Sequence, residues 1–239
     1  MSDLRFLYND GDVFAVYKAP GLHSVQLPKG GGRSLADDLL AHSPHLKDVS
    51  KNAGDAGLVN RLDEDTSGIL LGAWTRPVWE QLFAQLLAGD VSKKYTALVD
   101  GHLSTPQSIR TFIGTPHRGA QKMKVYEQEP PARARALEGT THFLDSHFIE
   151  NLKATLVTVS ASPARRHQIR IHCSHIGHPL VGDTLYGSTR ELPSSTPHSR
   201  LPPGRSFLLH AEKVSFSHPS TGHEIVLTCP VEDELALLR

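Results

Sequence analysis

The sequence predicts an α+β fold built on a large mixed, mainly antiparallel sheet. Three observations carry this. Strand-like stretches outnumber helical ones. At least two pairs of them flank short polar turns, Thr141 to Ile149 with Leu152 to Ser160 around Glu150-Asn151, and Val214 to Phe216 with Glu224 to Cys229 around Pro219-Ser220-Thr221-Gly222. Helical periodicity is confined to a few short segments.

In chain order, Asp12 to Lys18 (D-V-F-A-V-Y-K) reads as a buried strand closed by the turn pair Pro20-Gly21. Lys29 to Ser34 (K-G-G-G-R-S) is a loop; it lacks the full P-loop pattern and its flanking strand, so a linker is expected. Ser34 caps a short helix that turns Leu35, Leu39 and Leu40 inward. Residues 43–56 are polar and loop-like. Thr75 caps a second helix with Val78, Leu82, Phe83, Leu86 and Leu87 as its apolar face, and Gly89 stops it. Tyr95 to Val99 is a strand. The stretch from His102 to Gly139, rich in Pro, Gly and Arg, is expected to be extended loops. Arg165 to Ile176 fits a helix with Ile169, Cys173 and Ile176 on one side, terminated by Gly177 and Pro179. Leu192 to Gly204 is a Pro/Ser-rich surface loop, and Glu232 to Leu238 a last short helix.

The chain has 239 residues, enough for one large domain or two small ones. No internal repeat or firm boundary is visible, and a single domain over 1–239 is expected. No apolar run approaches the length of a bilayer span, and the N-terminus lacks the apolar core of a secretory signal. The two cysteines, Cys173 and Cys229, are far apart and outside any metal-type spacing, which fits a reducing cytoplasm. Basic and acidic residues balance at 25 each, which argues mildly against a nucleic-acid binder. Distribution matters more than the sum. Between Arg110 and Arg135 lie six bases (Arg110, Arg118, Lys122, Lys124, Arg133, Arg135) against two acids, Glu127 and Glu129. A basic stripe of this kind can follow a phosphate backbone, although taken alone it reads better as a solvated loop.

The segment most charged with chemistry is Asn60-Arg61-Leu62-Asp63-Glu64-Asp65-Thr66-Ser67-Gly68, followed by the apolar run Ile69-Leu70-Leu71. Asp63 sits where a strand-like stretch gives way to turn residues, a place where a rigid element can hold a side chain over a cleft. Read alone, it is far more readily a turn or cap residue than a catalytic one. The segment resembles the R-L-D-x-x-T-S-G signature of the RluA family of RNA pseudouridine synthases, with Asn60 where that family usually has histidine. Three further segments agree in order and spacing. Lys94-Tyr95-Thr96-Ala97-Leu98-Val99-Asp100-Gly101 resembles the family's K-x-Y-x-A-x-V-x-G. Arg165-Arg166-His167-Gln168-Ile169-Arg170-Ile171-His172 resembles G-R-T-H-Q-I-R-x-H, with Ala164 and Arg166 replacing the usual glycine and threonine. Ile176-Gly177-His178-Pro179-Leu180-Val181-Gly182-Asp183 resembles I-G-x-P-x-x-G-D. Leu209-His210-Ala211 and the Phe216 to Gly222 turn extend the likeness, which spans roughly residues 8–235.

The resemblance implies a bent sheet with a central RNA-binding cleft, without the N-terminal S4 domain of many relatives. It implies isomerisation of a uridine in structured rRNA or tRNA to pseudouridine by a monomer, with no cofactor and no metal. Breaking a glycosidic bond, turning the uracil and rejoining it through a ring carbon needs neither redox change nor phosphate energy, so a carboxylate acting as nucleophile or base suffices. By the resemblance that carboxylate is Asp63, its guanidinium partner Arg170, and the aromatic stacking on the target base Tyr95. Arg61 fills the gap left by the flipped nucleotide. Lys122, Lys124, Arg165, His167 and Gln168 are the expected RNA contacts, the last two also orienting the loop around Arg170. A non-catalytic RNA-binding module on the same fold is the alternative, and a nucleoside hydrolase a more distant one. His172, His175 and His178 recur every three residues, but Gly177 should end the helix before the third, and no acid or thiolate stands in ligand spacing. Ser67 lacks a G-x-S-x-G elbow for hydrolase chemistry.

Overall fold

A short apolar strand, Val13–Lys18 (β2), is the first element driven deep, with Val13 through Val16 wholly buried. It pairs antiparallel on one side with β1 (Phe6–Asn9) and on the other with β3 (Ser67–Ala73), in a register running from Val13 opposite Ala73 to Lys18 opposite Gly68. Every residue of β3 is buried, so its run is continuous rather than alternating. The computed structural model describes residues 4–27, 32–131, 134–192 and 206–231. Residues 29–31 of the Gly-rich loop, Arg133, most of the Pro/Ser-rich loop and the terminal helix expected at Glu232 to Leu238 lie outside the described residues. No helix among those described is long and apolar enough to cross a membrane.

The described residues form two compact units, 4–93 with 211–231, and 94–210. In the first, α1 (Leu35–His42) starts at Ser34, whose hydroxyl accepts from the Asp37 amide while the Asp37 carboxylate accepts from the Ser34 amide. This reciprocal cap contributes about 0.5–2 kcal/mol. The polar stretch that follows contains two single-turn 3-10 segments, Pro44–Asp48 and Ala53–Asp55. The second helix, α2 (Arg76–Ala88), begins at Thr75 without a side-chain cap bond and ends at Gly89, whose φ of 87° is the left-handed stop expected. Its buried face is Val78, Trp79 and Leu82, whereas Leu87 is 70% exposed. The expected inward Leu87 is thus replaced by Trp79, whose indole N–H donates to the Leu58 carbonyl and whose ring stacks on Phe83. The hairpin of β9 (Leu209–Ser217) and β10 (Glu224–Thr228) completes this unit, β9 lying beside β3.

Gly68, in the Thr-Ser-Gly turn into β3, has φ +112°, and a Cβ there would strike the backbone of Ala211. Positive φ and a backbone collision cannot both be relieved by side-chain movement. Gly68→Ala is expected to lower stability by about 3 kcal/mol or more. Urea unfolding checks this; a midpoint within error of wild type would mean that the β3–β9 contact yields easily.

In the second unit the strands run β4–β8–β7–β5–β6, antiparallel throughout: β4 (Ser92–Asp100), β5 (Gln107–Gly114), β6 (Lys124–Tyr126), β7 (Leu137–Ile149) and β8 (Ala154–Ser162). The β7–β8 hairpin turns at Glu150–Leu152, where its polar residues predict it. The loop expected over 102–139 is wrong in part, because β5, β6 and the start of β7 lie inside it. β5 alternates, with Thr111 and Ile113 buried and Ser108 and Arg110 exposed, but its pairing partners on β7 are about thirty residues on and leave no local trace. The third helix, α3, is shorter than expected, Gln168–His175. His167 precedes it at φ 56°, so Arg165 to His167 form a turn rather than a first helical coil.

Candidate active site

The Asp63 turn belongs to the first unit. The Thr66 amide donates to the Asp63 carbonyl and closes it. Its two flanks are held at the backbone. On one side the Ser24 hydroxyl accepts from the Leu62 amide and donates to the Leu62 carbonyl. On the other, the Glu64 carbonyl accepts from the Gly21 amide and from the Lys18 ammonium at 2.6 Å. Lys18 is wholly buried at the end of β2 and also donates to the carbonyls of Ala19 and Leu22. A buried ammonium is tolerated only with such acceptors. The Pro20-Gly21 turn therefore wraps around Lys18, and together they fix the residues on either side of Asp63. Sequence reading missed Lys18; its signal was a lysine ending an otherwise apolar strand. Arg61 is exposed just ahead of this turn, and the Asn60 side-chain oxygen accepts from the Leu71 amide of β3.

The remaining expected site residues lie in the second unit. Tyr95 is buried on β4, opposite Val159 of β8. The other edge of β4 carries the segment after α3: Val99 bridges Leu180, Val181 donates to Leu98, and Asp100 donates to Pro179. Asp183 ends this segment and meets Arg170 of α3 as a fork, Nε to Oδ2 at 2.7 Å and Nη2 to Oδ1 at 2.9 Å. Both side chains are nearly inaccessible, 9% and 1% exposed. The guanidinium also lies 4.4 Å from the Phe207 ring centre and 5.1 Å from that of Tyr186. A planar cation in a fork between aromatic faces has little rotational freedom. Asp183 stands in a segment that the sequence marks, but nothing local names its partner.

The side chains around α3 divide by role. Gln168 is buried; its Oε1 accepts from the Arg165 amide, and its Nε2 donates to the Thr140 carbonyl and to Thr141 Oγ1. Arg165 donates through Nε to the Glu138 carbonyl. Both thus pin the turn before α3 to β7. His167 bonds the Tyr186 hydroxyl through Nδ1, and Lys122 lies over the Tyr186 ring. Lys122 and Lys124 are exposed on either side of buried Met123. The structure therefore gathers Arg170, His167 and Lys122 about Tyr186, and groups Arg165 with Gln168 at β7.

The three recurring histidines have separate partners. His172 bonds Thr111 Oγ1 through Nε2 and Thr141 Oγ1 through Nδ1, His175 faces Glu127, and His178 donates from Nδ1 to the Asp100 carbonyl. Burial, with a smaller contribution from the neighbouring His175, pushes His172 from 6.5 down to about 4. As pH falls below 6.5 the unfolded chain takes up this proton first, so stability should decline through the window from about 6.5 to about 4, by roughly 3 kcal/mol in all from this group. Urea midpoints across that window should fall in wild type and flatten in His172→Asn; parallel slopes would remove His172 as the cause. Cys173, beside it, is wholly buried, and burial pushes its thiol well up, as for an unreactive packing residue.

Residues 12–175 match the family described as RNA pseudouridylate synthase, well over half the chain. The protein is therefore an RNA pseudouridine synthase, an isomerase. The chain is 33% identical over 99% of its length to the ribosomal large subunit pseudouridine synthase D of Pseudomonas aeruginosa, covering 72% of that protein. It is 34% identical over 98% of its length to the enzyme of the same name from Xanthomonas campestris, covering 68%. The chain belongs to the RluA family of these synthases. Among solved structures, Human RNA Pseudouridylate Synthase Domain Containing 4 superposes with a TM-score of 0.69 at 21% identity, over 98% of this chain and 93% of that one. Human RNA Pseudouridylate Synthase Domain Containing 1 gives 0.68 at 22%, over 98% and 86%. These two agree with the α+β fold.

Proposed function

We propose that the chain isomerises a specific uridine in structured RNA, with Asp63 as the carboxylate that acts on the nucleoside. The reaction is internally balanced. The bond from C1′ to N1 breaks, the uracil turns, a bond from C1′ to C5 forms, the C5 proton leaves and N1 gains one. Asp63 serves as nucleophile or base, Arg170 as its guanidinium partner, Tyr95 as the aromatic against the target base, and Arg61 as the side chain filling the vacated stack. The observation that carries this reading is the Asp63 turn, held at the backbone on both flanks by Ser24, Gly21 and Lys18. Such support is what a reacting group needs to stay within reach of its substrate.

Ribosomal RNA is the first substrate to try, since the relatives bear ribosomal names; tRNA is the second. Cys173 and Cys229 are buried and not joined in a disulfide, in keeping with action in the cytoplasm. Purified protein should be incubated with large-subunit rRNA and with tRNA transcripts, and the products mapped for pseudouridine. Release of free uracil would mark a hydrolase, and binding without any product a non-catalytic RNA module.

A short stem-loop is expected to suffice as substrate. Replacing Lys122 and Lys124 together by glutamine should weaken its binding and lower the slope of log affinity against log salt by about 1.5–2. Binding measured at several salt concentrations checks this, and an unchanged slope would place the phosphates elsewhere.

A further inference from the structure

The position after Arg165 carries an arginine, Arg166, where the family motif usually has threonine. Its side chain reaches back across the fold to a loop some forty-five residues earlier. Nη1 donates to the Ala120 carbonyl at 3.2 Å and Nη2 to the Gln121 carbonyl at 3.0 Å. A second tie lies two residues on: the Met123 amide donates to the Tyr186 hydroxyl at 2.9 Å. The loop's own pattern fits an anchored strip. Ala120 and Met123 are buried, while Arg118, Gln121, Lys122 and Lys124 are exposed. The Lys122 ammonium lies 5.5 Å from the Tyr186 ring centre, and the Arg170 guanidinium lies 5.1 Å from the same centre. The loop's cations are thus held next to the arginine assigned to chemistry.

We propose that Arg166 is a positioning residue for RNA: its guanidinium fastens the 118–124 loop to the turn before α3 and so pre-orders Arg118, Lys122 and Lys124 as a phosphate-binding strip. The inference rests on the RNA substrate proposed above. Its physical content is entropic. A loop of this length that must order on binding subtracts from affinity, and tying it down beforehand removes that cost. Two adjacent carbonyls suit the planar fork of a guanidinium; an ammonium carries its donors on one nitrogen and spans them less well.

The test uses the full chain and a short RNA stem-loop. Arg166→Thr should speed hydrogen exchange at the Met123 amide and weaken RNA binding about tenfold. The single-turnover rate at saturating RNA should change less than twofold, since the loop acts in binding. Arg166→Lys keeps the charge and should recover only part of the affinity. In the Lys122→Gln/Lys124→Gln background, Arg166→Thr should cost well under its tenfold loss in wild type, because Arg118 alone of the three cations it positions is then left. Unchanged Met123 exchange overturns the clamp, whatever the RNA data show. Faster exchange with unchanged affinity overturns the link to RNA. Full rescue by Arg166→Lys, or additive losses in the double background, would make Arg166 a phosphate contact in its own right and sink the proposal. A wild-type protein that binds no stem-loop counts against the proposed substrate, while the exchange experiment still judges the clamp.

Discussion

Asp63→Asn should abolish isomerisation while leaving RNA affinity within a few-fold of wild type. The amide is nearly isosteric with the carboxylate, but it can neither attack carbon nor take a proton. The turn itself should survive. Its hydrogen bonds to Ser24, Gly21 and Lys18 are made by the backbone of Leu62 and Glu64, and the closing bond uses the Asp63 carbonyl rather than its side chain. Loss of activity with an unaltered urea midpoint would therefore report chemistry and not unfolding. Single-turnover assay on modified and unmodified transcripts gives the readout. Residual turnover above about a thousandth of wild type, a loss smaller than that typical of removing a reacting group, would take the central role away from Asp63.

The second large effect is expected at the Arg170–Asp183 fork. Arg170→Lys retains the charge but offers one nitrogen where the structure uses two, Nε and Nη2, on separate oxygens of Asp183. Because Asp183 is almost wholly buried, an imperfect partner leaves part of a carboxylate desolvated without compensation. Breaking such a pair outright, as in Asp183→Ala, should cost about 3–5 kcal/mol of stability. Arg170→Lys should cost less than that, yet lower the isomerisation rate by about a hundredfold or more if the guanidinium also serves Asp63. The two measurements separate the roles. A destabilised Arg170→Lys protein with a near-normal rate at saturating RNA would leave the fork as architecture only, and Asp63 would need another cation.

The elements legible in the sequence share one property: their causes are local. Ser34 caps α1 because its hydroxyl and the Asp37 carboxylate lie three residues apart, and Gly89 ends α2 because it alone there adopts positive φ at no cost. The β7–β8 hairpin announces itself by two strand-like stretches around Glu150-Asn151, and the ordered motifs around Asp63, Tyr95 and Arg170 point to the family without any structure. What tertiary contact decided lies farther apart in the chain. β5 was hidden in a Pro- and Arg-rich stretch because its pairing residues are on β7. Leu87 was displaced by Trp79 because a helix face is chosen by what it meets: Trp79 found the Leu58 carbonyl and the Phe83 ring. Lys18 holds Glu64, forty-six residues on, and Arg166 holds Ala120, forty-six residues back. Arg170 is only thirteen residues from Asp183, yet the two meet because β4 carries the intervening segment on its edge. Residue types and their order determined the class of chemistry, since that depends on which groups are present. The placement of those groups depends on backbone partners brought together by folding, and the order of residues does not say which members of such a pair will meet.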